Sequence, residues 1–326
     1  MGKENMTINP KGSITDVGGI TVGSHQDLEA LTGCTVILTG KDGAVCGVDV
    51  CGSAPGTRET DLLSPINMIE KVHSVLLSGG SAYGLEAAGG VMRYLEENRI
   101  GYQAGNTLVP IVPGAVLFDL EIGNGKVRPD ADMGYKACGL ASLEVKEGNA
   151  GAGAGATVGK IKGYDFCTKS GLGTASIRLK NGLTVGAIMA VNAFGDVYNQ
   201  EGQIIAGNRD QEGALQETVA IWEEFLLGTP SGAKMNTTIG VVACNARLTK
   251  SQATKIAQMA QNGLARVIKP VHTMFDGDTI FALGTGFMDG DVNIIGYLAQ
   301  EAVAEAIIRA VSAADTIHGY RSAAWR

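Results

Sequence analysis

Apolar and polar positions along the chain alternate between short β-prone runs and amphipathic segments, with no obvious linker between domains. Cys34-Thr35-Val36-Ile37-Leu38 and Ala44-Val45-Cys46-Gly47-Val48-Asp49-Val50 read as strands. The Asp-Gly step in the intervening Gly40-Lys41-Asp42-Gly43 predicts a hairpin. Ser64-Pro65 has the chemistry of a cap and a first-turn proline, which predicts a short helix. Residues 72–77 read as a strand, and after Gly79-Gly80 a helix is predicted over 82–98, with Gly101 at its exit. The apolar run 183–193 suits a buried strand, and a helix is predicted around 214–227. Thr249-Lys250-Ser251-Gln252 has capping-box spacing, opening a helix that ends before Pro270. Residues 279–283 return as a strand, and a last helix is predicted over 293–313. Strand pairs interleaved with helices predict an α+β layered sandwich rather than a strict βαβ array.

One junction in this pattern carries potential chemistry. Gly228-Thr229-Pro230-Ser231-Gly232-Ala233-Lys234 is turn and linker sequence, and Ile239, Val241, Val242 and Cys244 after it are β-prone. Between them, Met235-Asn236-Thr237-Thr238 ends a polar loop on a hydroxyl residue that opens the strand. Taken alone, the segment is readily read as a surface loop before an ordinary core strand. If the Asn236–Thr237 bond were cut, Thr237 would instead carry a hydroxyl and a free α-amine together. A threonine hydroxyl needs a base beside it. An α-amine, with an unperturbed pKa of roughly 7.7–8.0, supplies one near neutral pH. Asn236-Thr237-Thr238 also fits the N-glycosylation pattern, which matters only in a secreted protein.

Composition narrows the partners. With 326 residues, 45% apolar and 18% charged, the chain is long enough for a large core. Its 47 glycines therefore imply tight turns and close backbone approaches rather than disorder. The net charge of −7 and the lack of a basic stripe argue against a nucleic-acid partner. No run approaches a membrane span without charges or clustered glycines, and Met1-Gly2-Lys3-Glu4-Asn5-Met6 leads into no apolar signal core. A cytoplasmic protein is expected, with no membrane partner. The six cysteines (Cys34, Cys46, Cys51, Cys138, Cys167 and Cys244) form no C-x-x-C pair and read as buried small apolar residues rather than a disulfide frame or zinc site.

Several further candidates are weighed on residue chemistry. Asp276-Gly277-Asp278 is either a solvated turn or a carboxylate pair that orients an ammonium or hydroxyl. The glycine-rich run 150–160 fails the P-loop pattern, because Ala154 stands where the first glycine is required and Ile161 follows Lys160. Gly151-Ala152-Gly153-Ala154-Gly155-Ala156 satisfies G-x-G-x-x-A, but no strong strand precedes it and no acidic partner follows at the right distance. Tight turns that bring backbone or Lys160 toward a pocket are the better reading. Lys160 is either a surface lysine, the default, or a buried cation near a catalytic centre. His25, His73, His272 and His318 show no metal spacing. Gly80-Ser81-Ala82-Tyr83 fails the nucleophile-elbow pattern, so a Ser-His-Asp triad is not supported. No cofactor or metal is expected.

Taken together, several segments in order resemble one family: Gly52-Ser53-Ala54-Pro55-Gly56-Thr57-Arg58-Glu59-Thr60-Asp61, Ser78-Gly79-Gly80-Ser81-Ala82-Tyr83-Gly84-Leu85, Lys169-Ser170-Gly171-Leu172-Gly173-Thr174-Ala175, Asn236-Thr237-Thr238-Ile239-Gly240, and Val271-His272-Thr273-Met274 followed by Asp276-Gly277-Asp278-Thr279. Over nearly its full length the chain resembles the DmpA/BapA-like peptidases, which include L-aminopeptidase/D-esterases, β-aminopeptidases and endo-type nylon-oligomer hydrolases. The resemblance implies an αββα sandwich of the DmpA/ornithine-acetyltransferase type, N-terminal-nucleophile-like. It implies one catalytic domain over 1–326 that cuts itself between Asn236 and Thr237 into a large subunit, 1–236, and a small one, 237–326.

By motif position, Thr237 is then the nucleophile, and Asp276 and Asp278 match the supporting pair of the nylon-hydrolase branch; the β-aminopeptidase branch has a serine and a glutamate there. Lys160 matches a catalytic-centre lysine and Asn192 an oxyanion-hole amide. Phe118, a substrate-binding candidate, falls where relatives carry a tyrosine, which puts the substrate range in question. The implied substrates are peptide-like or polyamide amides, and the implied assembly is a homo-oligomer of cleaved protomers, a tetramer by resemblance. The alternatives are an ornithine-acetyltransferase-like acyltransferase, or an uncut small-molecule-binding protein using the glycine run.

Overall fold

The computed structural model describes residues 6–9, 12–224 and 235–325. The turn-rich stretch 228–234 and the end of the helix expected over 214–227 lie outside the described residues.

Two sheets carry the architecture. The seven-stranded sheet runs in the spatial order Met6–Asn9, Leu172–Leu179, Thr184–Asn192, Thr237–Ala246, Thr279–Met288, Ala44–Val50 and Lys71–Val72. The five-stranded sheet runs Thr21–Asp27, Thr32–Leu38, Ser74–Ser78, Gly114–Val116 and Gly56–Arg58. The helices are α1 (Ala87–Glu97), α2 (Ala131–Gly139), α3 (Thr218–Glu224), α4 (Lys250–Val267) and α5 (Val292–Ser312).

Side-chain alternation along the strands sets the layers, because successive residues face opposite sides of a sheet. From Thr237–Ala246, Ile239, Val241 and Ala243 join Ile37, Val75 and Leu77 in a core between the sheets. Val242, Cys244 and Ala246 pack instead with Ile256, Leu264, Leu298 and Ile307 of α4 and α5. In the other sheet, Val36 and Leu76 face away from the inter-sheet core and meet Val91 and Leu95 of α1 and Ala137 of α2. The order is therefore helix, sheet, sheet, helix: an α+β, αββα sandwich. Strands buried on both faces need nearly unbroken apolar sequence, which is what 237–246 and 184–192 provide. Close helix–sheet approach accounts for part of the glycine content. A Cβ on Gly47 would lie 2.2 Å from the Thr254 backbone nitrogen of α4, and one on Gly173 would lie 2.1 Å from the Ala306 carbonyl of α5.

Several sequence expectations need correction. The strands on either side of Gly40–Gly43 do not form a hairpin. Thr32–Leu38 pairs with Thr21–Asp27 and Ser74–Ser78, whereas Ala44–Val50 pairs with Thr279–Met288 and Lys71–Val72. The turn carries the chain from one sheet to the other. The expected strand 72–77 is likewise divided between the sheets at His73. Ser64-Pro65 opens no helix: a 3-10 turn covers Asp61–Leu63, and Ile66 and Met68 beyond it are exposed, so no apolar face holds a helix there. The helix expected over 82–98 begins as a 3-10 segment, Ser81–Glu86, before α1. Leu215–Gln216, expected as helix, pairs as a strand with Asn208–Arg209. Cys51 is exposed, unlike the other cysteines. The Thr249 capping box is formed as expected. No helix among the described residues is long and apolar enough to cross a membrane.

Candidate active site

Sheet topology brings distant parts of the sequence to one edge. Thr237–Ala246 lies antiparallel to Thr184–Asn192, with Thr237 opposite Asn192, and parallel to Thr279–Met288, with Ile239 opposite Thr279. The start of one strand, the end of its neighbour and the loop entering the third therefore meet. That loop is Asp276-Gly277-Asp278, and Asn236 forms a parallel bridge with Asp276. Asn236 N–H donates to the Phe275 carbonyl at 2.8 Å, and Gly277 N–H donates to the Asn236 carbonyl at 2.9 Å. The Thr237 hydroxyl also donates to the Asn236 carbonyl, and Thr237 is 4% exposed.

The two carboxylates are buried rather than held in a solvated turn, and each is held by several donors. Asp278 Oδ1 accepts the Thr238 N–H at 2.7 Å. Its Oδ2 accepts from His272 Nδ1 at 2.8 Å and from the His272 N–H at 3.3 Å. Asp276 Oδ2 accepts from the Thr273 N–H at 2.9 Å and the Thr273 hydroxyl at 2.6 Å, and its Oδ1 accepts the Phe194 N–H at 3.3 Å. Burial, and then the charge of Asp278, push Asp276 up to about 6 against these hydrogen bonds. Burial pulls the His272 imidazole down, but the hydrogen bond and charge of Asp278, with Asp276 and Asp49 behind it, raise it overall.

Lys160 is fully buried, contrary to the surface default. Its Nζ donates to Asn192 Oδ1 at 2.7 Å and to the Asn192 carbonyl at 3.1 Å. The Thr157 N–H donates to the same Oδ1 at 3.1 Å. Because both neighbours are donors, the amide oxygen must face them. The Asn192 Nδ2 then points the other way and donates to the Phe118 carbonyl at 3.0 Å. Phe118 thus meets the site through its backbone, with its side chain half-buried. Burial brings Lys160 down to about 7, although Cys167, Asp276 and Asp119 oppose the shift.

The structure therefore gathers Thr237, Asn236, Asn192, Lys160, Asp276, Asp278 and the Phe118 backbone into one connected set. It adds residues the sequence reading passed over. His272, set aside there for want of a triad, is bonded to Asp278 and has a positive φ of 56°. Its place six residues ahead of Asp278, within the motif run, was the available signal. Asp119, next to Phe118, is buried and accepts from the Gly80 N–H and the Thr32 hydroxyl, both at 2.7 Å. Burial raises Asp119 to about 6. An acidic residue ending the apolar run 115–118 marked it. Lys169, also fully buried, donates to the carbonyls of Gly153 at 3.0 Å and Ala156 at 3.1 Å and to that of Ser170, pinning the glycine-rich run as packed turns. A cavity of about 660 Å³, lined by Lys41, Lys71, Arg247 and Phe287, lies toward the opposite end of strand Thr279–Met288 from the Asp276–Asp278 loop.

The αββα layer order defines the class of fold, which is that of the Ntn hydrolases, as superposition on solved structures shows. The L-aminopeptidase D-Ala-esterase/amidase of Ochrobactrum anthropi, described as a variant of that fold, superposes with a TM-score of 0.72 at 21% identity, over 95% of this chain and 88% of its own. A Burkholderia β-aminopeptidase superposes with a TM-score of 0.70 at 23% identity, over 97% and 91%. Residues 12–324 match peptidase family S58, and the chain belongs to that family of amide-cleaving peptidases. An uncharacterized aminopeptidase of Mycobacterium tuberculosis is 47% identical over 290 residues, 84% of this chain and 81% of the relative. A 6-aminohexanoate-oligomer endohydrolase of a Kocuria species is 31% identical over 312 residues, 90% of this chain and 84% of the relative.

Proposed function

We propose that this peptidase matures by cutting its own Asn236–Thr237 bond and then hydrolyses amides with Thr237 as an N-terminal nucleophile. The observation that carries this reading is the hydrogen bond from the Thr237 hydroxyl to the carbonyl of the preceding residue, which sets nucleophile and target side by side. In the precursor, the Thr237 oxygen adds to the Asn236 carbonyl carbon. As the C–N bond breaks, the hydroxyl proton ends on the Thr237 nitrogen and an ester remains. Water hydrolyses the ester, leaving an Asn236 carboxylate and a free Thr237 amine and hydroxyl.

In the mature enzyme that amine takes the hydroxyl proton as the oxygen attacks a substrate amide, a role worth about 10²- to 10⁴-fold. Asp278 already holds the adjacent Thr238 N–H, which suits it to orient the new terminus, with Asp276 supplying a second carboxylate on the same loop. Lys160, brought down to about 7 by burial, balances these charges and can exchange a proton near neutrality. The second hydrogen of Asn192 Nδ2, beyond the one given to Phe118, serves the developing oxyanion. The acyl-enzyme is released by water.

The substrate class we infer is an amide of a peptide or peptide-like oligomer. Kinship with a 6-aminohexanoate-oligomer endohydrolase makes 6-aminohexanoate oligomers a specific member to assay. A cytoplasmic homo-oligomer of cleaved protomers completes this reading. On a denaturing gel, the unaltered chain should run as two bands and Thr237→Ala as one full-length, inactive band. An active Thr237→Ala protein would overturn the reading.

A further inference from the structure

We infer that the backbone N–H of Gly277 is the oxyanion donor of the self-cut; this deepens the proposed maturation reaction and rests on it. When the Thr237 oxygen adds to Asn236, negative charge gathers on the Asn236 carbonyl oxygen. Among the described residues, two donors reach that oxygen: the Thr237 hydroxyl and the Gly277 N–H at 2.9 Å. The hydroxyl gives up this role when it becomes the attacking group. The Gly277 amide stays in place to hold the charge, at a distance suited to an oxyanion donor.

The donor is held in place beforehand. The Asp276 carbonyl, in the same peptide plane as the Gly277 N–H, accepts the Ala54 N–H at 2.9 Å. Two peptides further on, the Asp278 carbonyl accepts the Cys51 N–H at 2.9 Å and the Gly52 N–H at 3.2 Å. The Thr279 hydroxyl donates to the Gly277 carbonyl itself at 3.0 Å. The 51–54 strap and Thr279 thus aim the Gly277 N–H, and no side chain has to reorganise as charge develops.

The residue type follows from space. A Cβ at position 277 would lie 2.6 Å from the Ala54 carbonyl oxygen and 2.8 Å from the Thr237 hydroxyl. Glycine is required because the backbone must approach both the strap and the nucleophile. This assigns the central residue of Asp276-Gly277-Asp278 a part in the chemistry, separate from its acidic neighbours. Asn192 approaches from the neighbouring strand and already gives a hydrogen to Phe118.

The test removes one N–H and little else. In the full chain, Gly277 is replaced by glycolate through cell-free translation, which turns the amide into an ester. The same exchange at the exposed Met274, on the same loop, controls for ester lability. Processing is followed by intact mass over time. The expected result is a self-cut slowed about 10²- to 10³-fold by the ester at 277, the usual cost of losing one oxyanion donor, with the ester at 274 cut at the normal rate. Normal processing with the ester at 277, or equal slowing by both esters, overturns the assignment. If the 277 ester does not fold, amide exchange in the uncut Thr237→Ala chain decides: a protected Gly277 N–H supports the assignment, and exchange at the open-chain rate overturns it. Failure of the unmodified chain to cut itself would instead overturn the maturation reaction.

Discussion

Lys160→Met separates a residue kept for chemistry from one kept for stability. Burial lowers the folded-state pKa of Lys160 from 10.5 to about 7. At pH 7 the unfolded lysine is protonated while the folded one is only half so. A gap of roughly three to four pH units corresponds to about 4–5 kcal/mol of cost to the folded state. Methionine fills much the same space without the charge. The loss is two hydrogen bonds to Asn192, whose Oδ1 keeps the Thr157 N–H. At about 0.5–1.5 kcal/mol each, these offset part of the gain, leaving Lys160→Met more stable by about 1–4 kcal/mol at pH 7.

The sign reverses the usual expectation for a buried substitution, and it depends on pH. Between pH 7 and 10.5 the unfolded lysine holds the proton and the folded one does not, so the Lys160 contribution to parent stability rises by about 1.4 kcal/mol per pH unit as pH increases. The advantage of Lys160→Met should therefore shrink to near zero or below by about pH 9. The assay is urea unfolding at pH 7, 8 and 9, in a Thr237→Ala background that keeps one chain, with Trp222 and Trp325 as fluorescence reporters. With Thr237 restored, the same substitution should slow processing and amide hydrolysis. Lys160→Met less stable at pH 7, or a difference constant with pH, would refute the reasoning.

Other tests probe neighbouring parts of the site. Thr238→Val should be cut normally and be no less stable, since the buried Thr238 hydroxyl has no hydrogen-bond partner among the described residues; an uncut Thr238→Val chain would move the nucleophile. Hydrolysis of a p-nitroanilide should fall first as the Thr237 amine takes up a proton and again below about pH 6 as the buried Asp276, raised to that value, does so, and Asp276→Asn should remove this lower step of the acid limb alone. A lower step that survives in Asp276→Asn would assign it to another group. His272→Gln should lower kcat/KM about tenfold and move the acid limb upward, because Asp278 loses a donor and the carboxylate pair loses a raised-pKa neighbour that carries positive charge. An unchanged pH profile would leave His272 with a packing role alone.

The layers were legible because strands buried on both faces leave unbroken apolar runs, as at 184–192 and 237–246, and because Thr249 and Gln252 form a local cap that sequence spacing reports. The hydroxyl at the loop–strand junction was legible for the same local reason. Sheet membership was not: whether 34–38 pairs with 44–50 depends on partners as distant as Thr279–Met288, which no local turn signal encodes. Burial of Lys160 and Lys169 is likewise tertiary, since their partners are a strand end at Asn192 and the carbonyls of a packed glycine run. His272 escaped notice because its relation to Asp278 depends on a left-handed backbone turn. Of the site, the residue types and their motif positions could be read in advance. The hydrogen bonds that give Gly277, His272 and Asp119 their places required the folded chain.

Intact mass spectrometry of the freshly purified, unaltered chain tests the maturation chemistry most directly. Two species are predicted, ending at Asn236 and beginning at Thr237, with masses that sum to the full chain plus one water. A single full-length species that hydrolyses amides would contradict it.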